Sequence, residues 1–258
     1  MQDNQTINKA RALYYNLFAN FFVPTSKIEN YLELRKLATI LKENPLDETS
    51  GNALQNILDK LDTSSNVKLL QEYDDIFHNP LSKKVRTTAS YYDEGVESGK
   101  KRVEMIQFVA KTKLRRDENN YFEYEDSIGF IFSLMSSLCD EIASGNKEYE
   151  NTVHCIFAQI LNEFVDEFAK ELFEHDKSDI YKELMIVLHA FVEFERFYLE
   201  VSKPPKKEKI KKKEECKIEE ISEEEKERRA RNKALKALGP KQSDNFPVEH
   251  ISVGETDI

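Results

Sequence analysis

Glycine and proline are scarce, with seven of each in 258 residues. So few chain breakers argue against an all-β sandwich and against a glycine-rich nucleotide fold, and they favour helices. Cysteine is scarcer still. Cys139, Cys155 and Cys216 are odd in number and form no CxxC pair, which argues against a disulfide framework or a zinc site. Cys139 and Cys155 sit in apolar helical patterns, where a free thiol behaves as a small core residue. No apolar run approaches the length of a membrane span, and Met1 to Ala10 is polar where a secretory signal has an apolar core. The expectation is a cytoplasmic protein with no stable membrane insertion. Strand signals are almost missing, since Val, Ile and Thr do not cluster in alternating runs.

Chemical signatures are missing as well. The chain has no GxxxxGK[ST], no GxGxxG and no HExxH, and its histidines (His78, His154, His175, His189 and His250) are scattered without metal-ligand spacing. No Ser or Cys lies in a nucleophile motif. Asp93-Glu94 and Glu125-Asp126 are carboxylate pairs of the kind used for acid–base work. In so acidic a chain, however, adjacent carboxylates arise by chance. No catalytic residue, metal or cofactor is expected.

What is present is acidic charge and helical periodicity. Residues 1–202 carry 23 Lys and Arg against 35 Asp and Glu, a net of −12, whereas residues 203–258 carry 15 against 13. An acidic body repels nucleic acid and suits a cationic partner, or simply keeps the protein soluble. The spacing predicts a first helix over 6–22, with Thr6 as its cap and Ala10, Leu13, Tyr14, Leu17, Phe18 and Phe21 on one face. Ser26 is expected to cap a second, with Ile28, Leu32, Leu37, Ile40 and Leu41 as its apolar positions. A third follows Gly51, with Leu54, Ile57, Leu58 and Leu61. A fourth carries Val67, Leu70, Tyr73 and Phe77 and stops at Asn79-Pro80. Periodicity then fails from Pro80 to Gly99, a connection long enough to be functional, whose aromatic content argues against disorder.

Helical spacing resumes over 100–114 through Val103, Ile106, Ala110 and Leu114, with Val109 at the edge. A polar turn follows at Asp117-Glu118-Asn119-Asn120. The most apolar stripe runs from Ile128 through Ile131, Phe132, Met135, Leu138 and Cys139 to Ile142. Another runs from Val153 to Phe168, and a last from Ile180 to Tyr198 behind a Ser178 cap. Stripes this long must be covered by other helices. The fold class expected is therefore all-α, with residues 1–202 forming a single globular domain of about eight helices. Residues 203–258 are expected as a Lys/Glu-rich tail, mostly disordered or a lone helix.

Two patches mix aromatic rings with carboxylates. The first is Ser90-Tyr91-Tyr92-Asp93-Glu94-Gly95. The second is Tyr121-Phe122-Glu123-Tyr124-Glu125-Asp126-Ser127, which opens the apolar helix pattern. Such a mixture suits a peptide that is partly cationic and partly apolar.

With Glu72-Tyr73-Asp74-Asp75-Ile76-Phe77-His78-Asn79-Pro80, the two patches stand in an order that resembles the TorD/DmsD/NarJ family of redox-enzyme maturation chaperones. The first segment is similar to the family's Glu-Tyr-x-x-Leu-Phe-x-x-Pro. Ala89 to Gly95 is similar to its Pro-Tyr-x-Ser-x-Tyr region, and Glu123 to Ser127 to its Glu-Pro-x-Asp-His motif. Tyr124 stands where the family has proline and Ser127 where it has histidine. The resemblance spans about residues 8–200 and implies an all-helical, TorD/DmsD-like cytoplasmic chaperone for a molybdenum enzyme.

The resemblance further implies a partner, the precursor of an exported molybdoenzyme, bound by its body and its twin-arginine signal peptide. Cofactor insertion would then precede export. Arginine pairs with carboxylates and stacks on aromatic faces. Asp126, Glu123 and Glu125 would supply carboxylates. Tyr91, Tyr92, Tyr121 and Phe122 would supply the walls, with Glu94 and Ser127 beside them. The competing reading has Asp126 capping the helix it opens and Tyr91 and Tyr92 packing in the core. At the level of function, the alternative is a general helical adaptor without signal-peptide recognition. The client (formate dehydrogenase or an S- or N-oxide reductase) and the oligomeric state (monomer or domain-swapped dimer) stay open.

Overall fold

Tyr15, Leu17, Phe18, Phe21 and Phe22 point to different sides of one helix and all are buried, which puts that helix in the middle of the fold. The computed structural model describes residues 2–23, 27–117 and 121–205, with the backbone alone for Gln2 and Asp3. Among these residues the order is α1 (Gln2–Phe22), α2 (Ile28–Glu43), α3 (Glu48–Lys60), α4 (Val67–Phe77), α5 (Ala89–Glu94), α6 (Lys100–Ala110) and α7 (Ile128–Ala143). A 3-10 turn at Lys147–Tyr149 leads into α8 (Glu150–Ile156). This helix runs through a π-helical turn (Phe157–Leu161) into α9 (Asn162–Phe173), and α10 (Ile180–Tyr198) closes the series. The described residues are all-helical, with no strand and one isolated bridge between Thr88 and Ser127. Residues 206–258 are not among the described ones. The expectation for that tail lies outside the described residues, as do those for Pro24, Ser26 and Glu118-Asn119-Asn120.

The core is organised on rings. Phe22 meets Phe77 of α4, Phe132 of α7, Phe168 of α9 and Tyr181 of α10, with centroids 5.3–6.1 Å apart. Such edge and tilted contacts add directional attraction to area burial. α1 lies along α7, and Gly129 permits the close approach: a Cβ there would stand 2.7 Å from Val23 Cγ2 and 2.9 Å from the Phe22 carbonyl oxygen. α10 packs on α3 and α9. α1 and α10 are also joined by a buried ion pair. Arg11 Nε and Nη2 donate to Glu195 at 2.6 and 2.8 Å, and the Tyr15 hydroxyl donates to Glu195 at 2.7 Å. A buried charge pair persists only when it is satisfied in this way.

Several expectations are corrected. α1 starts at Gln2, so Thr6 is not its cap, and Ala10 is exposed while Tyr15 and Phe22 are core. α2 buries Tyr31, Leu34, Leu37, Ala38 and Leu41, and exposes Ile28, Leu32 and Ile40. α3 is capped by Asp47, which accepts from Ser50 N–H in a reciprocal box, so Gly51 lies inside the helix rather than before it. α6 buries Met105, Phe108 and Val109, and its anticipated stripe of Val103, Ile106 and Ala110 faces solvent. α6 is pinned on its inner side, where Lys101 Nζ donates to the Gln159 carbonyl in the π-helical turn at 2.8 Å. Ser178 does not cap α10. That end is held by Glu72 of α4, whose Oε1 accepts from Asp179 and Tyr181 N–H at 2.8 and 2.9 Å. The anticipated long loop contains α5.

Candidate functional site

The two patches meet because the chain after α4 turns back along the entry to α7. Thr88 and Ser127 form an antiparallel bridge. Ala89 N–H donates to the Asp126 carbonyl at 2.9 Å, and Ile128 N–H to the Thr87 carbonyl at 2.8 Å. These bonds set α5 beside the loop at 121–127. A six-residue helix has little stability of its own and needs its end groups satisfied from outside. Asp126 does this. Its Oδ2 accepts from Ser90 N–H at 2.9 Å and Ser90 Oγ–H at 2.5 Å, and Ser90 Oγ in turn accepts from Arg102 N–H at 3.2 Å. One carboxylate thereby ties α5, α6 and the start of α7 together. Asp126 is fully buried. Burial pushes its carboxyl above the usual range, and the Ser90 bonds only partly offset this. It caps α5, not the helix that it opens in sequence. α7 is capped by Ser127, whose Oγ accepts from Phe130 N–H at 3.4 Å and shares a 2.7 Å hydrogen bond with the Tyr121 hydroxyl.

Glu125 is held between two cations. Its Oε2 accepts from Arg102 Nε at 2.9 Å and its Oε1 from Arg116 Nε at 2.8 Å. Burial alone would raise this carboxyl, but the Arg102 bond and the two positive charges outweigh it and hold it below its ordinary value. Arg102 also lies 4.1 Å over the Tyr124 ring. Glu94 accepts from Lys100 N–H at 3.0 Å and so caps α6. Tyr92 stacks on Phe164 at 5.5 Å and donates to the Arg86 carbonyl and to Glu171. Of the nine expected peptide-binding residues, Asp126, Ser127, Glu125, Glu94 and Tyr92 are thus engaged in shaping the region. Phe122 is 84% exposed, Tyr91 lies at the surface, and Tyr121 and Glu123 are half-buried.

Of these four, Phe122 and Glu123 line a groove of about 340 Å³, and Tyr91 and Tyr121 lie outside its lining. It is lined by Phe77 and His78 at the end of α4, by Val85 to Thr88, by Glu97, and by Phe122, Glu123 and Tyr124. Burial raises the Glu123 carboxyl. The Tyr73 and Tyr121 hydroxyls each reach it at 3.4 Å, which works against that rise. Phe77, His78, Arg86, Glu97 and Tyr124 were not among the expected ligands. Tyr124 stood in the motif as a departure from it, while Arg86 and Glu97 belong to no pattern in the sequence.

Two larger cavities lie elsewhere. One, of about 650 Å³, runs between α9 and α10 past Val165, Phe173, Met185 and Val192; of its acids, Asp166 and Glu193 are paired with Arg196 and Lys203, and Asp47 caps α3. The other, of about 640 Å³, lies by Asn4, Arg11, His154 and Tyr198, with Arg11 committed to Glu195. Neither contains a residue of the two patches. Among the described residues no group of three or more His, Cys, Asp or Glu is placed to hold a metal ion, and no helix is long and apolar enough to cross a membrane.

No curated protein and no solved structure matches the chain. The family described as nitrate reductase delta subunit does match, over residues 43–170, a span that includes α3 to α8 and the whole groove. Members of that family are chaperones and not catalysts. Over that span, close to half of its length, the chain is similar to the NarJ/TorD-type chaperones of this family, and the match supports a role in the maturation of a molybdenum enzyme whose precursor is its partner.

Proposed function

We propose that this chaperone recognises its client through the twin-arginine signal peptide, held in the groove between the end of α4, residues 85–88 and residues 121–124. One observation carries the reading. Phe122 stands 84% exposed beside the carboxylates of Glu123 and Glu97, with the Tyr91 and Tyr124 rings at the surface nearby. Exposed apolar groups set together and rimmed by charge mark a binding surface, as a lone exposed ring does not, and the neighbouring carboxylates match the arginines that precede the apolar stretch of such a peptide. Phe122 and Tyr124 cover the apolar segment, while Glu123 and Glu97 take the cations. Asp126 and Glu125 act behind them, by fixing α5 and the 121–127 loop. The chaperone works in the cytoplasm on a precursor of the formate dehydrogenase or S- or N-oxide reductase type, and shields its signal until the cofactor is inserted.

Titration of the purified chain with the client's signal peptide tests the reading. Binding in the micromolar range, weakened at least about tenfold when both arginines become alanine, is the expected result. No binding at tens of micromolar, or binding indifferent to the arginines, overturns it.

A further inference from the structure

Arg86 is a cation inside a groove that suits cations. Its Nη1 lies 2.8 Å from Glu97 Oε1, and its guanidinium carbon lies 5.5 Å from the centre of the Tyr91 ring. Glu97 is held in place from the other side, where the buried Thr88 hydroxyl donates to Oε2 at 3.0 Å. A carboxylate fixed by a second partner and an aromatic face beside it make a guanidinium cradle. The flat, delocalised cation fits both at once, whereas an ammonium makes only a point contact.

Arg102 has a similar pair of partners in Glu125 and Tyr124, yet the two sites differ in burial. The side chains of Arg102 and Glu125 are 26% and 11% exposed, and Arg102 Nη1 also donates to Ser98. Those of Arg86 and Glu97 are 46% and 45% exposed. A half-buried network is costly to open, while an exposed pair is weak and exchanges with solvent readily. Arg102 is thus part of the frame, and Arg86 is replaceable.

We propose that Glu97, oriented by Thr88, and Tyr91 form a guanidinium subsite at the rim of the groove, that Arg86 occupies it in the free chaperone, and that a client arginine takes it by displacing Arg86. This rests on the groove being the signal-peptide site. Arg86 then sets a threshold: the measured affinity is reduced by the fraction of molecules whose subsite is already filled. It also favours arginine over lysine, because a lysine cannot match the contacts of the group it displaces.

The experiment is fluorescence anisotropy with a labelled peptide carrying two consecutive arginines ahead of an apolar segment, titrated with the full chain. Four proteins are compared: wild type, Arg86→Ala, Lys84→Ala, and Arg86→Ala with Glu97→Gln. Arg86→Ala is expected to bind about threefold to tenfold tighter, as the self-occupied fraction disappears. Lys84→Ala removes the same charge two residues away and is expected to stay within about twofold of wild type. Adding Glu97→Gln cancels the gain, and a peptide with lysines in place of arginines shows none. Arg86→Gln, which keeps the aliphatic stem, replaces Arg86→Ala if the latter loses its helical circular dichroism. Equal or weaker binding by the Arg86 variant, or the same gain from Lys84→Ala, overturns the subsite. Wild-type binding without a gain removes the subsite and leaves the groove standing, whereas no binding by wild type or variant removes both.

Discussion

Glu125 and Asp126 are neighbours in the chain with opposite electrostatic surroundings. Glu125 is held below its ordinary value by Arg102 and Arg116 against the effect of burial, and Asp126 is held above it by burial. The signs of their contributions follow. A carboxyl lowered in the folded state adds stability that is complete above its unfolded pKa and is lost as pH falls through the folded value. A carboxyl raised in the folded state does the reverse. Denaturant midpoints should therefore show wild type more stable than Glu125→Gln by about 2 kcal/mol at neutral pH, with the gap closing below about pH 4. The gap between wild type and Asp126→Asn should move in favour of wild type as pH falls. Gaps that stay parallel across pH would contradict both assignments. Asp126→Ala strands the Ser90 N–H and hydroxyl and is expected to cost about 2–3 kcal/mol. A double-mutant cycle with Ser90→Ala should return a coupling of about 1 kcal/mol or more. That these residues belong together was legible in the sequence, because both patches mix rings and acids. Which of them face solvent was not, since that depends on the Thr88–Ser127 bridge, a contact between segments far apart in the chain.

At the scale of elements, the strongest apolar stripes in the sequence are the ones that the fold buries. Ile128, Ile131, Phe132, Met135, Leu138, Cys139 and Ile142 are all buried in α7, and the stripes from Val153 to Phe168 and from Ile180 to Phe191 likewise fill the core, while Phe194 and Tyr198 at the end of α10 are half-buried. α6 and α2 show why the weaker ones are not. α6 carries Val103 and Ile106 on one side and Met105, Phe108 and Val109 on the other, so spacing alone admits two buried faces. Packing selects the larger side chains. α2 has the same ambiguity between Leu32 and Leu34. Caps borrowed from another element leave no local trace. Glu72 closes α10 from α4, more than a hundred positions away. Burial raises its carboxyl, so the acceptor oxygen matters more than the charge. Glu72→Ala is expected to cost about 2 kcal/mol and Glu72→Gln less than half of that, read as shifts in thermal midpoint. Equal losses would show that the charge, and not the acceptor, holds the helix.

At the scale of the whole molecule, the matched family span and the hub of the core do not coincide. α1, which lies along α7 and meets α10 through Arg11–Glu195 and the rings on Phe191, lies before residue 43, and α10 lies after residue 170. The groove lies wholly inside that span. The net charge of −10 draws cationic peptides to the protein without choosing a site, so binding weakens with salt wherever the peptide sits. Location therefore decides the account, and amide hydrogen exchange of the full chain with and without the signal peptide reads it directly. Protection is expected in residues 85–88, in α5 and in residues 121–124, with the segments of α9 and α10 that line the 650 Å³ furrow unchanged. Protection confined to that furrow, with 85–88 and 121–124 exchanging as in the free protein, would contradict it.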